Sequence, residues 1–450
     1  MRPVNRLPPE ILSHIALYLI GSDEDDAISV VPLTHVCRYW RESIISTPEI
    51  WALVSGENEN MTAVCLERAK ATPLKITLRM PLSSSFTDIF ASYLQNTRTL
   101  AVHSISTIEE LMSVFPNFPQ SMPTLRSLGL IRPQDTDWDP TIDPFEPFAP
   151  PLERLQLTGV PLYASLLKFG TLTEFTFSDR RSTRLGTLLD LLEGNRSLER
   201  VTLDIFFTFA PGLRHNIAMK QLRYLSINCR DEDDAQALIS NIPLQRGASL
   251  RIHLSDGHRT LSDFLPDVSA THLSNPPSPT FFQLGHGPTK HITLDGPGGK
   301  LTFVGLSEVS FADLAVLPLA NVREVRLYYR KAAREPPVFS PSYFPALETL
   351  TINCNVDVLS VLSVLLSNSP PSPSLKTIGF LNCNISEGFM EELTRFASQR
   401  QNIPTSTWLH RVQIVHGDGV FPSAPSVRRL RKYVKVVEVR MEDAFSTDLT

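Results

Sequence analysis

The sequence predicts an α/β protein, a short helical segment followed by an irregular solenoid of parallel strands with outer helices. Three observations carry this. Residues 5–51 read as two amphipathic helical stretches, unlike everything after them. From about residue 74 an apolar triplet, Leu-x-x-Leu-x-Leu or a close variant, returns along the chain. Proline makes up 36 of 450 residues, or 8%, against a usual value of about 5%, so many short connections must join many short elements.

Composition bounds what the chain can do. An apolar fraction of 42% suffices for a packed core, and a charged fraction of 20% is too low to keep the chain unfolded. A net charge of −5 argues against a general nucleic-acid binder, which needs a basic stripe to neutralise phosphates. Five scattered cysteines, Cys37, Cys65, Cys229, Cys354 and Cys383, supply neither a CxxC pair nor an even framework, which fits a reducing compartment. The apolar residues of the opening stretch are interrupted by Pro8, Pro9, Glu10 and His14, so it does not read as a secretory leader. No run approaches the roughly 18 apolar residues of a membrane span. The sequons at Asn60, Asn195 and Asn384 are therefore read as chance, and the chain as soluble, in the cytoplasm, the nucleus or both.

Taking the elements in order, Leu7-Pro8-Pro9-Glu10 opens the first helix, since proline is tolerated in a first turn and Glu10 suits the positive helix end. Ile11, Leu12, Ile15 and Leu19 follow at helical spacing and make one face apolar. Gly21 and the acidic run 23–26 end it. A second stretch over 27–45 carries Val36, Cys37, Trp40 and Ile44 on one side, and Ser46-Thr47-Pro48 stops it before Trp51. Helices this short cannot bury such faces alone, so a partner or the rest of the chain must cover them.

Three of these motifs together resemble an F-box, most closely the form common in fungal F-box proteins. They are Leu7-Pro8-Pro9-Glu10-Ile11-Leu12, Val36-Cys37-Arg38-Tyr39-Trp40-Arg41 and Ser46-Thr47-Pro48-Glu49-Ile50-Trp51. The resemblance spans residues 4–51, about a tenth of the chain. It implies a Skp-family adaptor as partner and, through it, a cullin–RING ubiquitin ligase. By the same resemblance Leu7, Pro8, Ile11, Leu12, Ile15, Val36, Cys37 and Trp40 form or support the adaptor surface. Trp40 either belongs to that surface or holds the helices together.

The triplets are Leu125/Leu128/Leu130, Leu152/Leu155/Leu157, Leu172/Phe175/Phe177, Leu198/Val201/Leu203 and Leu222/Leu225/Ile227. After a gap come Val322/Val325/Leu327, Leu347/Leu350/Ile352, Leu375/Ile378/Phe380 and Leu409/Val412/Ile414. Weaker copies lie near residues 74–78, 100–102 and 250–254. The spacing resembles that of irregular leucine-rich repeats, whose period is about 20–29 residues, with helix-like segments such as 187–192 between strands. Cys383 stands where such repeats carry an inward Asn or Cys, and is read as structural. The expected domains are an F-box over 1–54 and a repeat solenoid over 55–445. Proline-rich inserts at about 131–151, 273–300 and 332–345 read as edge loops, either partner-binding or plain surface excursions.

Catalytic and cofactor signatures do not emerge. The glycine-rich 296–300 lacks phosphate-loop spacing, and the histidine pairs 253/258 and 286/291 lack zinc-site spacing. The acidic runs 23–26 and 231–234 lack the alternating ligands of a calcium loop. The basic stretch 427–440 reads as a final strand with a charged edge. These absences fit what the F-box resemblance implies, a non-catalytic substrate-recognition subunit, expected to have no cofactor, no metal, no nucleic-acid and no membrane partner. The alternatives are a repeat scaffold without a degradation target and, more remotely, an enzyme whose site lies on the proline-rich loops. Residues beside the inward Leu positions should face the concave sheet: Arg154, Gln156 and Thr158; Arg200, Thr202 and Asp204; Tyr224, Ser226 and Asn228; Glu324, Arg326 and Tyr328. Among them Tyr224, Arg326 and Tyr328 are the expected anchors for an unknown protein target.

Overall fold

The structure is a computed structural model. It describes residues 7–20, 27–82, 89–90, 92–114, 122–133, 143, 145, 151–163, 165–166, 169–208, 217–229, 237–239, 241–242, 248–254, 281–286, 290–296, 299–306, 319–329, 343–354, 374–383, 385–402, 408–416 and 422–441. The chain divides into two compact units, Met1–Leu222 and Arg223–Thr450.

The first unit opens with α1 (Pro9–Leu19), a 3-10 helix (Ala27–His35), α2 (Arg38–Ile45) and α3 (Pro48–Trp51). The stretch read as one helix over 27–45 is therefore two. Pro32 lies inside the 3-10 segment, where it removes a backbone donor, and Cys37 is extended at the N-cap of α2. Then come β1 (Leu53–Ser55), α4 (Glu59–Ala69), β2 (Leu74–Arg79), β3 (Thr97–His103), α5 (Ile108–Val114), β4 (Ser127–Ile131), β5 (Arg154–Thr158), β6 (Glu174–Arg184), α6 (Leu185–Gly194) and β7 (Arg200–Thr208). Strands β1 to β7 pair in sequence order, all parallel. That register lines up Ile76, Leu100, Leu128, Leu155, Phe175 and Val201 in one row, and Leu78, Val102, Leu130, Leu157, Phe177 and Leu203 in the next. Both rows are buried, each side chain stabilising the fold by about 1.5–3 kcal/mol. Phe145, in the proline-rich 131–151, is buried edge-on against Phe169 at 5.6 Å, so part of that segment is tied to the core.

The second unit holds β8 (Tyr224–Cys229), β9 (Ser249–Leu254), β10 (Phe281–His286), β11 (Lys290–Gly296), β12 (Gly299–Leu306), β13 (Glu324–Tyr329), β14 (Thr349–Cys354), β15 (Thr377–Leu381), α7 (Glu387–Gln401), β16 (Arg411–His416), α8 (Ala424–Leu430) and β17 (Val436–Met441). From β13 to β17 the strands are again parallel in sequence order. Two buried rows run across them: Val325, Leu350, Ile378, Val412 and Val437, and Leu327, Ile352, Phe380 and Ile414. All nine triplets expected from sequence are buried.

Where 273–300 was read as a loop, strands stand instead. Strands β10, β11 and β12 pair antiparallel with one another, and the run joins β9 through β12 and β13 through β10. The reason is positional: Pro276, Pro277 and Pro279 precede β10, while Pro288 and Pro297 fall between strands, so no proline removes a ladder hydrogen bond. Likewise 427–440 is not one strand, since its first residues end α8. Residues 273–280 and 332–342, the acidic runs 23–26 and 231–234, and His258 lie outside the described residues.

Candidate functional site

Helix α1 carries two apolar stripes. Leu12, Ala16 and Ile20 are buried, and α1 packs against α2, α3 and the 3-10 helix. Ile11, Ile15, Tyr18 and Leu19 sit at i, i+4, i+7 and i+8 on another side and are exposed, Tyr18 at 87%. Val36 just before α2 and Ile45 at its end are exposed as well. Of the seven large apolar side chains exposed among the described residues, these are six; the seventh is Trp408. Soluble surfaces scatter such residues singly, whereas six of these seven fall within 35 residues of sequence, 11 to 45.

The helices beneath that face are locked. Tyr39 donates its hydroxyl to the Leu7 carbonyl at 2.8 Å. The Pro8 carbonyl accepts from the Ile11 and Leu12 amides, which closes the first turn of α1. Ser13 and Thr47 share a hydroxyl hydrogen bond of 2.8 Å that ties α1 to the entry of α3. Trp51 is buried, donates its indole N–H to the Ile44 carbonyl at 3.0 Å and carries the Arg68 guanidinium 4.5 Å from its ring centroid.

Of the expected adaptor residues, Pro8, Ile11, Ile15 and Val36 are exposed, and Leu7, Cys37 and Trp40 half-buried. Leu12 is 1% exposed and belongs to the buried stripe of α1. The Trp40 indole N–H is buried without a hydrogen-bond partner among the described residues. Tyr18 and Ile45 were not singled out from sequence, and Leu19 was read on the apolar face of α1 but not among the adaptor residues. The signal was present in α1, whose apolar residues cover more than one helix face.

On the strands of the second unit, Arg326 and Tyr328 are neighbours at i, i+2 on β13, both half-buried. Arg326 donates to Glu324 at 2.7 Å and hydrogen-bonds Tyr328. Partial burial alone would lower its pKa, but the hydrogen bond and charge of Glu324, reinforced by Tyr328, hold it above the ordinary value. Register places Thr351 beside Arg326 and Asn353 beside Tyr328. Tyr224 is half-buried on β8, five inter-strand steps away through β9, β12, β11 and β10, or roughly 24 Å along the sheet. Strands β9 to β12 therefore stand between Tyr224 and the other two expected anchors.

Among the described residues no three His, Cys, Asp or Glu side chains gather as a metal would require, and no helix is long and apolar enough to cross a membrane. Cys383 is buried, its Sγ donating to the Leu381 and Ile352 carbonyls at 3.1 and 3.4 Å.

No curated protein matches the chain. Among solved structures, an internalin from Listeria monocytogenes is similar at 10% identity and a TM-score of 0.27, covering 95% of this chain and 97% of that one. The yeast Rad7 and Elc1 complex is similar at 13% identity and a TM-score of 0.30, covering 98% and 91%. The F-box-like family model matches residues 4–55. The helices that carry the exposed apolar face are those of an F-box-like domain, set ahead of a leucine-rich α/β repeat array.

Proposed function

We propose that this chain is a substrate-recognition subunit of a Skp–cullin–F-box type ubiquitin ligase, acting in the cytoplasm or nucleus without catalysing bond formation itself. The observation that carries the reading is the uncovered side of α1, where Ile11, Ile15, Tyr18 and Leu19 stand in solvent on an F-box-like domain. A Skp-family adaptor would bury them, with Val36 and Ile45 at either end of α2. The repeats would then hold a target protein near a ubiquitin thioester carried by another subunit, raising its effective concentration. The target would contact Arg326 and Tyr328, beside which the register sets Thr351 and Asn353.

The experiment is co-elution of the full chain with a recombinant Skp-family adaptor on a sizing column. Burying one such side chain is worth about 1.5–3 kcal/mol, so Ile11→Asp or Ile15→Asp should each weaken the complex at least about tenfold. Both side chains are exposed, so the variants should keep the wild-type circular dichroism. Undiminished co-elution of both would overturn the adaptor assignment.

A further inference from the structure

The first unit carries a further surface, separate from the exposed side of α1 and from the β13 pair. In strands β2 to β5 the buried rows point one way, so the residues between them form the opposite face of the sheet. Register sets Lys75, Thr99, Ser127 and Arg154 in one row of that face, and Ala101 and Gly129 side by side in the next. Arg79 lies four residues beyond Lys75 on β2, with His103 level with it on β3. Across these four strands there is no Asp or Glu and no Phe, Tyr or Trp. Strands β6 and β7 differ, since Glu174 faces Arg200 at 3.8 Å and Ser178 donates to Asp204 at 3.0 Å.

The polar groups of this face are left to solvent. Among the described residues Arg154 makes no ion pair, and the Thr77, Thr99, Ser127 and Thr158 hydroxyls make no hydrogen bond. Arg79 and Arg154 are exposed and Lys75 is half-buried, while Glu57 stands 4.0 Å from Arg79, at the limit of an ion pair. His103 is held below the usual histidine pKa, first by burial and then by the Arg79 charge, so it adds no cation at neutral pH. Lys75 and Arg79 are about 13 Å apart along β2, and Lys75 and Arg154 about 14 Å apart across three strand steps. Each interval matches residues i and i+4 of an extended chain, which rises about 3.3 Å per residue.

We infer that this face binds an extended polypeptide segment whose acidic residues stand four apart. Three cations on strands without a carboxylate select negative charge, and the unbonded hydroxyls offer donors to carboxylate oxygens and peptide carbonyls between them. Stacking and shape select a polypeptide over a nucleic acid. Single strands are held by aromatic platforms under successive bases, and these four strands carry none. A duplex is read by a helix or a two-stranded ribbon entering its groove, which the middle of a sheet face is not. An extended chain needs only the low floor that Ala101 and Gly129 leave between the cations. The inference does not rest on the adaptor reading, and the chain alone suffices to test it.

The test is fluorescence anisotropy of the full chain with a labelled peptide carrying aspartates four residues apart in a Ser/Thr background. Arms with its Asn counterpart, with the same aspartates side by side and with single-stranded oligo-dT complete it. The spaced acidic peptide should bind, and bind more weakly as salt rises. Its affinity should fall several-fold in Arg79→Glu or Arg154→Glu and at least about tenfold in the double variant. Both side chains are exposed, so circular dichroism should stay that of wild type. Affinity untouched by the double charge reversal would overturn the inference, as would equal binding of the Asn or side-by-side peptide or tighter binding of the oligonucleotide.

Discussion

Asn195 illustrates how much one side chain decides in a repeat protein. It is fully buried at the end of α6, and its amide donates to the Leu191 carbonyl at 2.9 Å and the Leu166 carbonyl at 3.2 Å, joining the helix end to the preceding connection. The sequon it heads is thus closed to a glycosyl donor in the folded chain. Replacing it with Ala removes two buried side-chain hydrogen bonds, while the Leu191 carbonyl keeps the residue-195 amide and the Leu166 carbonyl the Phe169 amide, and the cost should be about 1–3 kcal/mol. Asn195→Asp is more informative. Burial disfavours a charged carboxyl, so the introduced group should have a folded pKa raised above its unfolded value of about 3.9. A raised carboxyl pKa means stability present below the unfolded value and lost as pH rises. Urea unfolding should therefore show the gap between Asn195→Asp and wild type widening from about pH 4 to about pH 8. A gap that does not change with pH would mean that the site is solvated. At this scale the triplet leucines were legible in advance, because each must point inward at period two. Which apolar residue of α1 stays in water was not, since Leu12 and Ile11 look alike in sequence and only the packing of α2 and α3 separates them.

The passage from helices to strands has no linker. Helix α3 ends at Trp51, Ala52 follows, and β1 begins at Leu53 and pairs parallel with β2. The Ala52 carbonyl accepts the Lys75 amide at 2.9 Å, and Gly56 donates to the Thr77 carbonyl at 2.8 Å. The F-box-like segment thus also ends the sheet of the first unit, as capping repeats do for solenoids. Removing residues 1–55 would uncover the ladder groups of β2 beside Ile76 and Leu78. The truncated chain should aggregate or elute as oligomers on a sizing column, whereas Ile15→Asp elutes like wild type. A monodisperse truncated monomer would show that the helices are dispensable to the sheet. Sequence periodicity located the strands well where one triplet follows another. It failed at β10–β12, where prolines crowd the segment and the antiparallel run has no repeat triplet, although every proline lies outside the strands.

On the scale of the whole chain, each unit has its own buried rows, those of β2–β7 in Met1–Leu222 and those of β13–β17 in Arg223–Thr450. Repeat arrays are held by nearest-neighbour contacts, so their cooperativity breaks where that continuity changes. The tryptophans separate the two units. Trp40, Trp51 and Trp138 belong to the first unit, and Trp51 is buried at 1%, whereas Trp408 in the second stands 66% exposed and its emission should change little on unfolding. Fluorescence then follows the first unit, while far-UV circular dichroism follows both. In urea the two curves should not superimpose. Ile378 lies at the centre of a buried row in β15, and Ile378→Ala should destabilise the second unit by about 2–5 kcal/mol. Its dichroism transition should move to lower urea while the fluorescence midpoint stays within error of wild type. If both probes instead coincide in wild type and shift together in the variant, the chain unfolds as one cooperative body, and the exposed face of α1 and the Arg326–Tyr328 pair would be lost in a single step.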